Sequence, residues 1–174
     1  MIDLAQYIRD VRDFPKKGIV FKDITPLLGN PQALAAAVEQ LAKPFESAGV
    51  EIVTGIESRG FIFGSLVAQR LGASFVPIRK PGKLPHKTIR ESYDLEYGKD
   101  TVEIHADAVR AGQKVLMVDD LLATGGTMSA ACKLVESLGG RIVAVAFVIE
   151  LCFLNGRAKL PGREVHTLLK VASE

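Results

Sequence analysis

The amino-acid sequence predicts an α/β fold, a doubly wound parallel sheet within one domain, and three observations carry that expectation. Two stretches, residues 52–78 and residues 115–149, repeat one plan of strand, loop, helix and strand. The apolar runs inside them, such as Val115, Leu116, Met117 and Val118, show no polar alternation, as strands covered on both faces do not. A chain of 174 residues is long enough for one well-buried domain and too short for two ordinary ones.

Taken in order, Pro31 opens a helix whose apolar face is Leu34, Ala37, Val38, Leu41 and Phe45. Residues 52–55 read as a strand, 56–60 as a loop, 61–71 as a helix and 74–78 as the next strand. Residues 80–99 break the pattern with two prolines, two glycines and many charges, which predicts an excursion above the sheet. Such an excursion is a lid or binding loop, or it is a solvated hairpin. Residues 101–104 alternate like a strand.

The second unit is the more informative. After its strand stand Asp119 and Asp120, where the chain is expected to turn through Thr124, Gly125, Gly126 and Thr127. Apolar residues return at helical spacing at Met128, Ala131, Leu134, Val135 and Leu138, and Gly139 with Gly140 stops that helix. Residues 142–149 form the closing strand. Open parallel sheets bind ligands beyond the carboxyl ends of their strands, so the loops with Arg59 and with Asp119 share the functional edge.

The stretch VDDLLATGGTM, residues 118–128, suits a sugar phosphate. Carboxylates accept from ribose hydroxyls, while turn amides and a helix N-terminus face a phosphate. Acids at a strand end and glycines in a turn also occur in folds that bind nothing there. Their combination with threonines on both sides of the glycine pair favours phosphate binding. No Gly-Lys-Ser/Thr follows and no GxGxxG occurs, which disfavours an NTPase or a dinucleotide site.

Composition sets further bounds. With 48% apolar and 24% charged residues the chain is of the soluble globular kind, and a net charge of +2 is too small to argue for nucleic acid as a partner. Cations do cluster between Arg79 and Lys87. Two cysteines, Cys132 and Cys152, form neither a disulfide framework nor a metal knuckle, and His86, His105 and His166 have no metal-binding spacing. The N-terminus has no signal-peptide pattern, and the longest apolar stretch, residues 142–154, is too short for a bilayer of roughly 30 Å. A cytoplasmic protein with no membrane partner is expected.

VDDLLATGGT resembles the phosphoribosyl-pyrophosphate motif of the type I phosphoribosyltransferases, and five further segments are similar to the adenine branch of that family. They are FPKKGIVFKDITPLL at residues 14–28, GIESRGF at 55–61, RKPGKLP at 79–85, SYDLEYG at 92–98 and ELCFLNGR at 150–157. They follow the family's order and span nearly the whole chain.

The resemblance implies one phosphoribosyltransferase domain over residues 1–174, with an N-terminal base-binding hood in residues 1–30 and a flexible lid loop in residues 80–100. It implies Mg²⁺-dependent transfer of 5-phosphoribose from phosphoribosyl pyrophosphate to N9 of adenine, giving AMP and pyrophosphate in purine salvage. By the same resemblance, Ala123, Thr124, Gly125, Gly126 and Thr127 match the 5-phosphate cradle, and Asp119 and Asp120 match the pair that meets the ribose hydroxyls. Arg59 matches the pyrophosphate contact of the earlier loop, and Arg79, Lys80 and Lys83 supply cations where pyrophosphate leaves. The segment carrying Tyr93, Glu96 and Tyr97 is expected to close over the reacting centre, with Tyr97 among the phosphoribosyl-pyrophosphate contacts. Glu96 matches a glutamate placed near purine N7, and the alternative for it is a surface glutamate in a hairpin. Arg59, Glu96, Asp119 and Asp120 form the implied catalytic set.

For the base, main-chain groups of Val20 and Lys22 match those that read the adenine edge, Phe21 an aromatic face, and Leu151 with Ala123 the apolar wall. Ordinary core packing is the alternative for Phe21. No direct protein ligand for the metal is implied, since pyrophosphate, ribose and water hold it. A non-proline cis peptide is frequent in the family's earlier loop, at the bond matching Glu57-Ser58. A homodimer is also implied.

Two other readings make different demands. A 6-oxopurine enzyme calls for an acid where Ala123 stands. A sensor of phosphoribosyl pyrophosphate that binds DNA calls for an added helix-turn-helix and a strong basic face. About thirty residues precede the first core helix, and they match the base-binding segment.

Overall fold

The computed structural model describes residues 2–94 and 98–173. The chain opens with a hairpin of β1 (Arg9–Arg12) and β2 (Val20–Asp23), antiparallel with Val11 opposite Phe21. The short α1 (Thr25–Leu28) leads to α2 (Pro31–Ala42). Asn30 caps α2 by accepting from the Ala33 N–H at 3.0 Å, and Pro31 fills a position that needs no N–H donor. Then come β3 (Ile52–Ile56), α3 (Arg59–Leu71), β4 (Ser74–Ile78), β5 (Thr88–Asp94) and β6 (Lys99–His105). β7 (Lys114–Leu122), α4 (Gly126–Ser137), β8 (Arg141–Leu151) and β9 (Val165–Val171) complete the chain.

Five strands form the parallel central sheet in the order β4-β3-β7-β8-β9. From β3 the chain builds outward first to β4, then on the other side to β7, β8 and β9. The order therefore reverses between β3 and β7, and the crevice beyond their carboxyl ends is where such sheets bind ligands. Alternate residues of β7 serve opposite cores. Leu116 and Val118 pack with Leu41 of α2 and Phe63 and Val67 of α3. Val115 and Met117 pack with Ala131, Leu134 and Val135 of α4 and with Val102 and Ile104 of β6. Burial on both faces is why these strands read as unbroken apolar runs.

Several boundaries differ from the sequence expectation. β7 continues through Asp119 and Asp120 to Leu122, because β8 extends beside it and pairs Leu121 with Ile149 and Leu122 with Glu150. The turn falls at residues 123–125, and the two acids lie on the last half of the strand. Helix α3 starts at Arg59, so that residue is helical and not part of the loop. Within residues 80–99, Thr88–Asp94 is a strand, and β6 begins at Lys99; the two form an antiparallel ribbon. Its inward positions are Ile89, Glu91 and Tyr93, and the glutamate among them, bonded to Lys133 of α4, hides the apolar alternation. Edge strand β9 had no counterpart in the sequence reading. Among the described residues, no helix is long and apolar enough to cross a membrane.

Candidate active site

At the carboxyl end of β3, residues 57 and 58 lead into α3, and the Glu57-Ser58 bond is cis. Arg59, the first residue of α3, reaches across to β7, where its Nε lies 2.9 Å from Asp120 Oδ2. Its guanidinium also sits 5.1 Å from the centre of the Phe21 ring on β2. One side chain thus joins the N-terminal hairpin to the acids of the central sheet.

The two acids differ in detail. Asp119 Oδ1 accepts from the Asp120 N–H at 2.9 Å and faces Gly60, where a Cβ would stand 2.6 Å from that oxygen. Only glycine permits this approach of helix to carboxylate. Asp120 is buried, and although Arg59 is near, Oδ2 has no aligned hydrogen bond among the described residues. Burial, followed by the neighbouring Asp120 charge, pushes the Asp119 carboxyl well above its ordinary range. Burial also raises Asp120, against the pull of Arg59. The pair is therefore acceptor chemistry held short of hydrogen-bond donors.

Beyond β7 the chain turns into α4 through Gly125, which has φ of +79°, and the side chains near the turn leave the first amides of α4 uncapped. Uncapped N–H groups on a helix of 12 residues attract an anion. The turn is locked from outside: a Cβ on Gly125 would lie 2.3 Å from Gly156 O, and one on Gly156 would lie 2.2 Å from Ala123 O. Glu150 and Arg157 clamp that outer segment with bonds of 2.6 and 2.7 Å. A cavity of about 80 Å³ opens between the turn and β7, bordered by Asp119, Ala123, Thr124, Gly125 and Thr127.

A basic group follows β4. Arg79 pairs with Glu103 of β6 through two main-chain bonds, which tie the ribbon to the sheet edge. Glu57 gathers the cations: Lys83 Nζ donates to it at 2.8 Å, the Lys80 N–H donates to its other oxygen, and Arg79 Nη2 lies at 3.5 Å. Burial alone raises the Glu57 carboxyl, but these donors outweigh it and hold the group below its ordinary range. Lys80 Nζ pairs with Asp100 and donates to the Tyr93 hydroxyl at 3.1 Å.

The structure thus brings Arg59, Phe21, Asp119, Asp120 and the 123–127 turn to one crevice, with Arg79, Lys80 and Lys83 grouped around Glu57. Val20 and Lys22 share β2 with Phe21, and the Lys22 side chain turns to Asp10 at 2.7 Å, bordering a separate cavity with Ile149. Leu151 is buried at the end of β8, and Ala123 packs against the same core. Glu96 and Tyr97 lie outside the described residues. Sequence reasoning missed the organising roles of Glu57, Glu103, Glu150 and Arg157. Their partners are distant in sequence or lie across an irregular turn, and no local spacing signals them. Among the described residues, no three His, Cys, Asp or Glu side chains form a metal-holding group.

A parallel sheet whose switch point carries paired acids, an uncapped glycine turn and a nearby cation group is the arrangement of a phosphoribosyltransferase fold. Residues 24–165 match the family model described as the phosphoribosyl transferase domain. The adenine phosphoribosyltransferase of Christiangramia forsetii is 53% identical over 169 residues, covering 97% of this chain and 99% of that one. The structure of the Thermoanaerobacter pseudethanolicus enzyme superposes with a TM-score of 0.94 at 53% identity, over 97% of this chain and 98% of the other. That of the Saccharomyces cerevisiae enzyme, complexed with an imino-altritol bisphosphate and adenine, gives 0.89 at 43% identity, over 95% and 96%. The chain belongs to the adenine phosphoribosyltransferase family.

Proposed function

We propose that the protein transfers the 5-phosphoribosyl group of phosphoribosyl pyrophosphate to N9 of adenine, forming AMP and releasing pyrophosphate. The observation that carries this reading is the acid pair at the switch point: Asp120 is buried with Oδ2 beside Arg59 but without an aligned hydrogen bond, and Asp119 borders the small cavity of the glycine turn. Carboxylates are acceptors only, which suits them to ribose hydroxyls. The N9–C1 bond forms as the bond from C1 to the pyrophosphate oxygen breaks, and the sugar passes through an oxocarbenium-like state. Catalysis is then mainly positioning and charge stabilisation in a dry site.

In this reading the turn amides and Thr124 and Thr127 hold the 5-phosphate, and Asp119 and Asp120 orient the ribose. Arg59, Arg79, Lys80 and Lys83 face the pyrophosphate. The N-terminal segment, residues 1–30, forms the base hood, with Val20 and Lys22 main-chain groups meeting the adenine edge and Phe21 its face. Ala123 and Leu151 form the apolar wall. Residues 80–100 act as the lid, closing Tyr97 over phosphoribosyl pyrophosphate and bringing Glu96 to purine N7, where a protonated carboxyl donates or shuttles a proton.

Mg²⁺ fits the donor set, because hard oxygens dominate the crevice and few carboxylates compete with phosphate for it. Asp119 and Asp120 would hold it through water and the ribose hydroxyls, and when bound it neutralises pyrophosphate charge. The family resemblance further supports a cytoplasmic homodimer acting in purine salvage.

The test offers adenine, hypoxanthine, guanine and xanthine separately with phosphoribosyl pyrophosphate and Mg²⁺, following nucleotides by chromatography. AMP from adenine alone is expected. A 6-oxopurine nucleotide as the main product would move the reading to the sister specificity. Binding of phosphoribosyl pyrophosphate without any product would overturn catalysis altogether.

A further inference from the structure

The hydroxyl of Tyr93, on the inward face of β5, links Lys80 of the basic group to Thr127 at the start of α4. It accepts from Thr127 Oγ1 at 3.0 Å, accepts from Lys80 Nζ at 3.1 Å, and donates to Asp100 Oδ2 at 3.0 Å. Two accepted bonds and one donated bond saturate a phenol. The ring is committed as well, since its Cδ2 would lie 3.2 Å from a Cβ on Gly126 and its face lies 5.6 Å from Lys80 Nζ.

We infer that Tyr93 is a positioning residue that fixes Lys80 for the pyrophosphate, its own hydroxyl held in place by the bond that Thr127 donates to it. This rests on the proposed role of Lys80. A lysine carries about 2 kcal/mol of rotamer entropy on a flexible stem, so a free one makes a poor fixed cation. Here its ammonium gives one N–H to Asp100 and one to Tyr93, and its third remains for an anion. The side chain is 34% exposed, so its partners do not enclose it. Asp100 orients the pair from the far side and is itself fixed by the Thr101 N–H at 2.8 Å.

The inference is tested by Tyr93→Phe, made in the wild-type chain and again in Lys80→Met, with steady-state kinetics on both substrates. In the wild-type background the KM for phosphoribosyl pyrophosphate is expected to rise about tenfold, the scale of one hydrogen bond to a charged group, while the KM for adenine stays within about twofold. In the Lys80→Met background the same change is expected to shift the first KM by less than about twofold, because Tyr93 then has no cation to place. Equal effects in both backgrounds would make Tyr93 a scaffold residue and overturn the inference. If Lys80→Met alone left the KM for phosphoribosyl pyrophosphate unchanged, the pyrophosphate role of Lys80 would fail and the inference with it, an outcome distinct from the first. Asp100→Asn keeps the side-chain shape and runs the same cycle should the phenylalanine variant not fold.

Discussion

Asp120 near the end of β7 and Glu150 near the end of β8 are neighbours at one sheet edge, and each meets an arginine. Their exposures are almost equal, 4% and 5%. Glu150 is complete: Arg157 grips both oxygens, and Thr167 Oγ1 donates at 3.1 Å. The Arg157 hydrogen bonds dominate burial there and hold its carboxyl below the ordinary value. Asp120 is incomplete, with Arg59 close but unaligned, and burial dominates to raise it. Two acids of nearly equal burial thus serve opposite ends. A satisfied pair fixes a backbone segment, and the other acid stands short of aligned bonds at the proposed ribose site.

The largest expected effect falls on the incomplete acid. Asp120→Asn removes the charge and half the acceptor capacity while keeping the shape, and turnover should fall about 100-fold, the cost of losing one preorganised polar contact. The melting temperature should not drop, because the native state makes no aligned bond to Oδ2. Wild-type turnover in the folded variant would make Asp120 a structural acid like Glu150, and the contrast would collapse.

Next comes the complete pair. Arg157→Met leaves the Glu150 carboxylate buried without its partner, which costs about 3 kcal/mol for enclosed pairs and about 2 kcal/mol here, since the Arg157 side chain is 40% exposed. Denaturant unfolding at pH 7 measures it. The sign with pH is fixed by the lowered folded-state pKa: the stabilisation is full above the unfolded value of 4.5 and is lost as pH falls through the folded one. The gap between wild type and variant should therefore close in acid. A gap that is constant down to pH 3 would assign the loss to packing of the arginine stem.

A smaller effect runs the other way at Asp119. Its folded-state pKa is raised, so the native protein binds more protons than the unfolded chain above pH 3.8, and stability falls as pH rises through the raised value. Asp119→Asn should then stabilise the fold by about 1 kcal/mol at pH 8, within the range of relieved functional strain, with the gain fading toward pH 4. Turnover should drop in the same variant. Destabilisation at pH 8 would mean that the Asp119 carboxylate is a structural acceptor for the Asp120 N–H and little else.

The same contrast explains what was legible in the sequence. The strand, acids, turn and helix of residues 115–138 are local, so periodicity and glycine placement exposed both the fold unit and the crevice it lines. The parallel sheet was legible because β3 and β7 are covered on both faces and read as apolar runs. What stayed hidden depends on partners far along the chain. β7 runs on to Leu122 because β8 is long, and β9, half-covered at the sheet edge, lacks a clean alternation. Glu57 becomes a collector of cations only when residues 79–83 arrive beside it, and Tyr93 meets Thr127 across 34 residues. Glu150 and Arg157 stand seven residues apart, but irregular helical turns bring them together, and no periodic pattern marks that path.

The smallest expected effect concerns Lys22, which shares β2, the proposed base-binding strand, with Phe21 and sends its side chain to Asp10. If the adenine edge is read by main-chain groups of β2, the side chain contributes nothing to base affinity. Lys22→Met keeps the stem and removes only the ammonium, and its partner Asp10 is 57% exposed and stays hydrated. The ion pair is half on the surface, so stability should change by no more than about 0.5 kcal/mol. The KM for adenine should stay within about twofold, a change under about 0.4 kcal/mol in transition-state terms. A tenfold rise in that KM with phosphoribosyl pyrophosphate kinetics unchanged would mean that the ammonium reaches the base. Recognition would then rest on a side chain, and the strand would be only its support.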